Sequence, residues 1–339
     1  MLINSTERNY ELKCRRRVIK KLAILICAAP FISSCNRYFQ SSKMHRVGYL
    51  SSAGFPEIAT AFTQELYNLG FREGKNIIIE KRFIRPNTID NSIMATELLK
   101  LDLTLIVVTS LPLALEVRKA NPDMPMVIGT CPGMVSNGFA ESLERPGGIY
   151  TGMDELPPGV TSKRLQLLKK TVPAVTRVAL LSTTPGKGGH ETQLSEATTT
   201  AAELGIEVKP YRANSLAQLE LALQTISDEK MNGLLCFQGG LSVVNRKLIA
   251  DFAAQKQIPA IYQATLFAEA GGLMSWAPDL LQQFREAAHY VMQILNGAKP
   301  GDLPIKRPEK YYLTLNLSAA KKMGLTFPPD IMIQATRVL

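Results

Sequence analysis

The chain has 339 residues, of which 46% are apolar, and a mean hydropathy of +0.02, values that fit a globular body rather than a disordered or membrane-embedded one. That length exceeds what one ordinary hydrophobic core fills and suits two domains of moderate size. The formal net charge of +10 is uneven: residues 1–34 hold seven basic and two acidic side chains, and the rest of the excess is spread thinly. No basic stripe with interleaved aromatics occurs, which argues against nucleic-acid binding.

The first segment reads as an address label. Arg15-Arg16-Arg17-Val18-Ile19-Lys20-Lys21 precedes an apolar run over residues 22–32, a charged region followed by a hydrophobic one. The run is short of the roughly 20 apolar residues that a membrane span needs, and Pro30 weakens it as a helix. It ends in Ile32-Ser33-Ser34-Cys35, which resembles the bacterial lipoprotein signal. That resemblance implies cleavage before Cys35, lipidation of Cys35, and a mature protein exported and tethered on the periplasmic or cell-surface side. The basic run also resembles a twin-arginine signal, so the export route stays open. Of five cysteines, Cys131 and Cys236 remain in the body; they are read as buried thiols, although a disulfide after export is compatible with the spacing.

Residues 36–46 are a polar tether. Strands are predicted at 47–50, 76–83, 103–108 and 125–128, with helices at 56–69, at 90–100 behind an Asp90 cap, and at 112–120. A long loop is expected over 129–138. After Arg145-Pro146-Gly147-Gly148 the pattern restarts, with strands at 177–181, 206–209, 233–237 and 258–262 and helices at 162–171, 191–204, 215–228 and 243–256. A short helical turn at 266–270, broken by Gly271-Gly272, leads to an apolar run at 273–277. Pro278-Asp279 then caps an amphipathic helix over 280–295, and a strand at 311–317 and a helical segment after Pro328-Pro329 close the chain. Strands alternating with helices mean parallel βαβ units, and two such series mean two doubly wound α/β lobes. The expected division is 47–150 plus 273–305 for the first lobe and 151–272 plus 306–339 for the second.

Open parallel sheets bind ligands beyond the C-terminal ends of their strands, and two lobes can face each other across such edges. The candidates are therefore Ser51, Ser52, Thr109, Ser110 and Thr130 in one lobe, and Thr183, Gln238, Gly239 and Tyr262 in the other. Their hydroxyls, amides and backbone N–H groups hold a small polar molecule without supplying reactive chemistry, although each taken singly also serves as a cap or turn former. Asp154 follows the link and is a candidate contact for a ligand amine; Trp276 is a candidate stacking platform or a packing residue. No HExxH, GxSxG, CxxC or GxGxxG motif occurs, and Gly186-Lys187 lacks the spacing of a phosphate loop. No catalytic residue, cofactor or metal site is expected. Two rivals remain: a tethered ligand sensor, and a hydrolase or lyase built on Asp154 or Glu155.

Several stretches resemble the bacterial ABC-transporter substrate-binding protein family of the periplasmic-binding type I fold. They are Gly70-Phe71-Arg72-Glu73-Gly74-Lys75-Asn76, Ser142 to Gly148 with Thr151-Gly152, Ile258-Pro259-Ala260-Ile261-Tyr262, Gly271-Gly272-Leu273-Met274-Ser275 with Pro278-Asp279, Gly297-Ala298-Lys299-Pro300, and Asn316-Leu317 with Gly324-Leu325. The resemblance implies two lobes joined by three crossovers, a small-molecule ligand in the cleft, and delivery to ABC permease and ATPase subunits at the membrane. Some members are linked to aromatic amino acids. The chain departs from the family's usual turns at Ser110-Leu111-Pro112, Pro132-Gly133-Met134 and Ser182, all where a ligand is read.

Overall fold

Two sheets built almost wholly from parallel strands carry the chain, in a computed structural model that describes residues 44–52, 56–84, 91–183 and 188–339. The leader, Cys35, most of the tether, Asp90, Gly186-Lys187 and the side chain of Ser52 lie outside the described residues. The first sheet runs β2-β1-β3-β4-β5, from β1 (His45–Ser52), β2 (Ile77–Ile84), β3 (Leu105–Val108), β4 (Met126–Cys131) and β5 (Tyr150–Asp154). The second contains β6 (Arg177–Ser182), β7 (Glu207–Arg212), β8 (Gly233–Cys236), β9 (Ala260–Tyr262) and β10 (Met274–Pro278) in the order β7-β6-β8-β9-β10, the same winding repeated. β11 (Tyr311–Leu315), antiparallel to β10, and β12 (Arg337–Val338) extend that sheet at its far edge. Each half is a doubly wound unit with a switch point beside its first strand, so the expected two-lobed α/β class is what the chain adopts.

Sequence explains the layers. Leu105-Ile106-Val107-Val108 and Gly233-Leu234-Leu235-Cys236 are buried along their whole length, as strands covered on both faces must be. Val47 and Tyr49 face one cluster, with Ile58, Phe62 and Leu66 of α1 (Pro56–Asn68) and Phe284, Ala287 and Val291 of α10 (Leu280–Leu295). Leu50, Ile106 and Val108 point the other way, onto α2 (Asn91–Leu99) and α3 (Leu111–Ala120). The second sheet carries α4 (Val160–Thr171), α5 (Gly188–Leu204), α6 (Leu216–Asp228), α7 (Gly240–Val244), α8 (Arg246–Gln255) and α9 (Thr265–Glu269), and the chain ends with α11 (Leu317–Lys322) and α12 (Pro329–Gln334). None of the described helices is long and apolar enough to cross a membrane.

Several boundaries depart from expectation. β4 does not stop at Ile128 but runs to Cys131, because Gly129 is a point of close approach: a Cβ there would lie 2.4 Å from the Phe284 ring. The helix expected over 243–256 is two, parted at Asn245, which caps off α7 and starts α8. The lobes also divide differently. Tyr150–Asp154 pairs with β4 in the first sheet, so the first crossing follows Asp154 instead of residue 150. Met274–Pro278 pairs with β9 and β11 in the second sheet, which moves the second crossing from residue 273 to Pro278-Asp279. There the Asp279 side chain accepts from the Gln282 N–H at 3.1 Å and starts α10 back in the first lobe. The third crossing leaves Lys306, whose carbonyl accepts from Asp154 N at 2.9 Å, for β11.

Candidate functional site

The C-terminal ends of the two sheets meet around a cavity of about 50 Å³. Thr109, Ser110 and Thr130 line it from the first lobe, Gln238 and Gly239 from the second, and Ile58, Leu280 and Phe284 give it an apolar side. A smaller recess of about 10 Å³ shares Pro132, Glu155 and Gln238 with it and continues to Arg164, Gln193 and Gln263.

The first wall is a set of hydroxyls that satisfy one another. Thr109, just past β3, donates to Ser51 Oγ at 3.3 Å, and Thr130 near the end of β4 donates to the Thr109 carbonyl at 2.9 Å. Ser51, Thr109 and Thr130 are all buried. Ser110 sits at the N-cap of α3 in an extended conformation, yet its side chain makes no cap bond. It is half-buried on the cavity wall at the positive end of that helix.

The second wall is built from longer side chains. Gln238 N donates to Gln263 Oε1 at 2.9 Å, and Gln263 Nε2 donates to Gln193 Oε1, a buried amide chain linking β8, β9 and α5. Gly239 is the N-cap of α7, where its N–H donates to Ser242 Oγ at 3.0 Å. Arg164, on α4, is only 3% exposed. Its Nε donates to the Trp276 carbonyl at 2.9 Å, while Nη1 is sealed from solvent without a partner. Burial lowers this guanidinium to about 10, with Tyr311, Glu155 and Glu196 opposing the fall, so it stays charged at neutral pH.

Glu155 stands where the first crossing passes between the walls. Its N–H donates to the Cys131 carbonyl at 3.0 Å, its carbonyl accepts from Tyr311 Oη at 3.3 Å, and its Oε1 is buried and unpartnered. Burial pushes its carboxyl up to about 7; the Thr130 hydroxyl and Arg164 pull against that, and Asp154 adds to it. Two groups of opposite charge therefore line one small recess, each with a hydrogen-bonding atom unused. An unmet buried polar group costs roughly 1–3 kcal/mol, and these two mark where a guest would repay it.

Four residues expected at the site lie off these walls. The Asp154 carboxylate accepts from Gly133 N at 3.2 Å and Leu156 N at 2.9 Å and lies 3.6 Å from Arg307, so it fastens the first crossing instead of reaching into the cavity. Thr183 Oγ1 accepts from Ser242 N at 3.1 Å and anchors the start of α7. Tyr262 is fully buried and stacks on Phe267 with ring centroids 4.8 Å apart; Gly272 is required beside it, since a Cβ there would meet its ring at 2.4 Å. Trp276 stacks on Tyr311 at 5.8 Å and touches the site only through its carbonyl. Ser51 belongs to the first wall from behind, where its hydroxyl accepts from Thr109. Sequence reasoning passed over Arg164, Gln193 and Gln263 because they leave helices and a strand end instead of hydroxyl-rich loops. One signal was present: Arg164 falls on the stripe of Val160, Leu168 and Thr171, the buried face of α4, where an arginine needs a partner. Cys131 and Cys236 are free thiols, both buried, and burial raises both above their ordinary value.

The chain matches the sequence pattern of the ABC transporter substrate binding protein family over residues 47–339. It is 21% identical over 296 residues to a tyrosine-binding protein of Clostridioides difficile (strain R20291), covering 86% of this chain and 85% of that one. Two crystal structures superpose with a TM-score of 0.81, each over 88% of this chain and 100% of the other. One is a conserved domain protein from Vibrio cholerae O1 biovar eltor at 24% identity. The other is an ABC domain in complex with L-Trp from Streptococcus pneumonia at 20%. At these identities the structural likeness speaks for the fold alone, the periplasmic-binding type I fold, and the family match speaks for the lineage. The chain belongs to the ABC transporter substrate-binding protein family.

Proposed function

We propose that the chain is a lipid-anchored receptor of an ABC importer, tethered outside the cytoplasm through Cys35, whose cleft captures an α-amino acid, with aromatic side chains preferred, and delivers it to a permease. The carrying observation is the pair of unused atoms in the inner recess, Arg164 Nη1 and Glu155 Oε1. A zwitterion brings a carboxylate for the first and an ammonium for the second, so each unused atom gains a partner of opposite charge. The apolar side formed by Ile58, Leu280 and Phe284 suits the remainder of such a guest, and the names of the tyrosine-binding and L-Trp-bound relatives support an aromatic class. Ser51, Thr109 and Thr130 shape the opposite wall, with Ser110, Gln238 and Gly239 offering further polar contacts; Ser52 is the last residue of β1, next to Ser51.

Closure follows from the three crossings. Contacts made only when both walls meet bias the lobes toward the closed arrangement, and micromolar capture needs about 8 kcal/mol from them. Calorimetry of the purified protein against the twenty L-amino acids tests the reading. Saturable heat with aromatic members, abolished by esterifying the carboxylate, is the expected result; no heat from any of them sinks it.

A further inference from the structure

We propose that a second small-molecule site lies beside the cleft, in the groove along the Pro278-Asp279 crossing, and that it takes a neutral, apolar, amide-bearing compound. The groove encloses about 650 Å³, far more than the cleft cavity. Its walls come from both lobes: Ile58, Leu280 and Gln283 from the first, Ala264, Leu266 and Tyr312 from the second. Ile58, Ala264, Leu266, Leu280 and Leu281 give this lining an apolar part, from which an occupant gains by burying carbon.

One residue sets the chemistry. Gln283 is 3% exposed, lines the groove, and has neither Oε1 nor Nε2 hydrogen-bonded. A carboxamide presents an acceptor and two donors in one plane, and leaving them unmet in a buried place is costly. The complement of that pattern is another amide, which returns one donor and one acceptor in the same plane. Charge then narrows the class. Glu57, Glu269 and Asp279 border the groove against a single base, Arg337, which is itself bonded to Glu269. This acidic border repels an anion, whereas a neutral amide is not repelled. Because the walls belong to both lobes, the occupant binds one lobe arrangement better than another, and its affinity and that of the cleft are linked reciprocally.

The site does not rest on the amino-acid reading: Ile58, Leu280, Gln238 and Gln263 border both spaces, but Glu155 and Arg164 line only the other one. The probe is N-acetyl-L-phenylalaninamide, which has neither ammonium nor carboxylate. Titrated into the full-length protein, it should bind saturably and protect residues 264–269 and 280–283 from hydrogen exchange, leaving 109–112 unprotected. N-acetyl-L-phenylalanine, the matching anion, should bind at least tenfold more weakly. Gln283→Leu should weaken the amide at least tenfold without lowering the melting temperature, since it removes unmet groups and keeps an apolar filling. Absence of saturable binding, protection at 109–112 instead, equal binding of the anion, or wild-type affinity in Gln283→Leu would each overturn the site. Should that variant fail to fold, the protection map and the anion comparison on the wild-type chain decide alone. Heat from free amino acids, present or absent, bears only on the cleft.

Discussion

The two walls of the cleft are wound in the same strand order yet do opposite work. The first presents Ser51, Thr109 and Thr130, whose hydroxyls are linked to one another and to a carbonyl before any guest arrives. The second presents Arg164, reached across from Glu155 on the crossing, with hydrogen-bonding atoms left over. A satisfied wall supplies shape at little reorganisation cost; an unsatisfied one supplies the binding energy. Duplicated topology fixes where a ligand sits and leaves open which half will recognise it.

Tyr262→Ala should cost about 3–5 kcal/mol of stability, because it empties a fully buried aromatic site. Denaturant unfolding would show this, with the affinity of the folded fraction almost unchanged; the reverse pattern would place Tyr262 among the contacts. Next in size, Arg164→Met should raise the amino-acid Kd at least about 100-fold, corresponding to about 3 kcal/mol for a buried charge pair losing one member. A loss below tenfold would mean that the carboxylate is held elsewhere.

The Glu155 carboxyl offers a pH test. Its folded value, raised to about 7 from 4.5, means that the ionised form is what an ammonium ligand needs, so affinity should fall about tenfold from pH 8 to pH 6. Glu155→Gln should flatten that dependence. The same raised value has a sign for folding: the native chain holds its proton more tightly than the unfolded one between 4.5 and 7, so this group's contribution to stability declines as pH rises through that window. Melting of the wild type and the glutamine variant side by side would check it. Smallest of all, Thr109→Val should cost about 1 kcal/mol of stability through the broken Ser51 bond and change affinity by less than threefold. A larger effect on binding than on melting would make the first wall a contact surface in its own right.

Much of this arrangement was legible in the residues. Wholly apolar runs such as Leu105-Ile106-Val107-Val108 read directly as covered strands, and Asp279 before Leu280 read as the start of a helix that does span Leu280–Leu295. The loops after the strands bring Thr109, Ser110, Thr130, Gln238 and Gly239 to the cavity. Where expectation failed, tertiary packing decided. Gly129 looked like a strand end but makes room for Phe284, and Tyr262 looked like a loop-edge aromatic but is stacked inside. Arg164 shows its role only once its neighbours in space are known.

The return of α10 to the first lobe orders the assembly of the molecule in time. Ile58, Phe62 and Leu66 of α1 find their cover in a helix that emerges from the ribosome only after all of β6 to β10. The half made first therefore stays unfinished longest, with an apolar face awaiting its lid, while the half made later has its five central strands in one uninterrupted stretch.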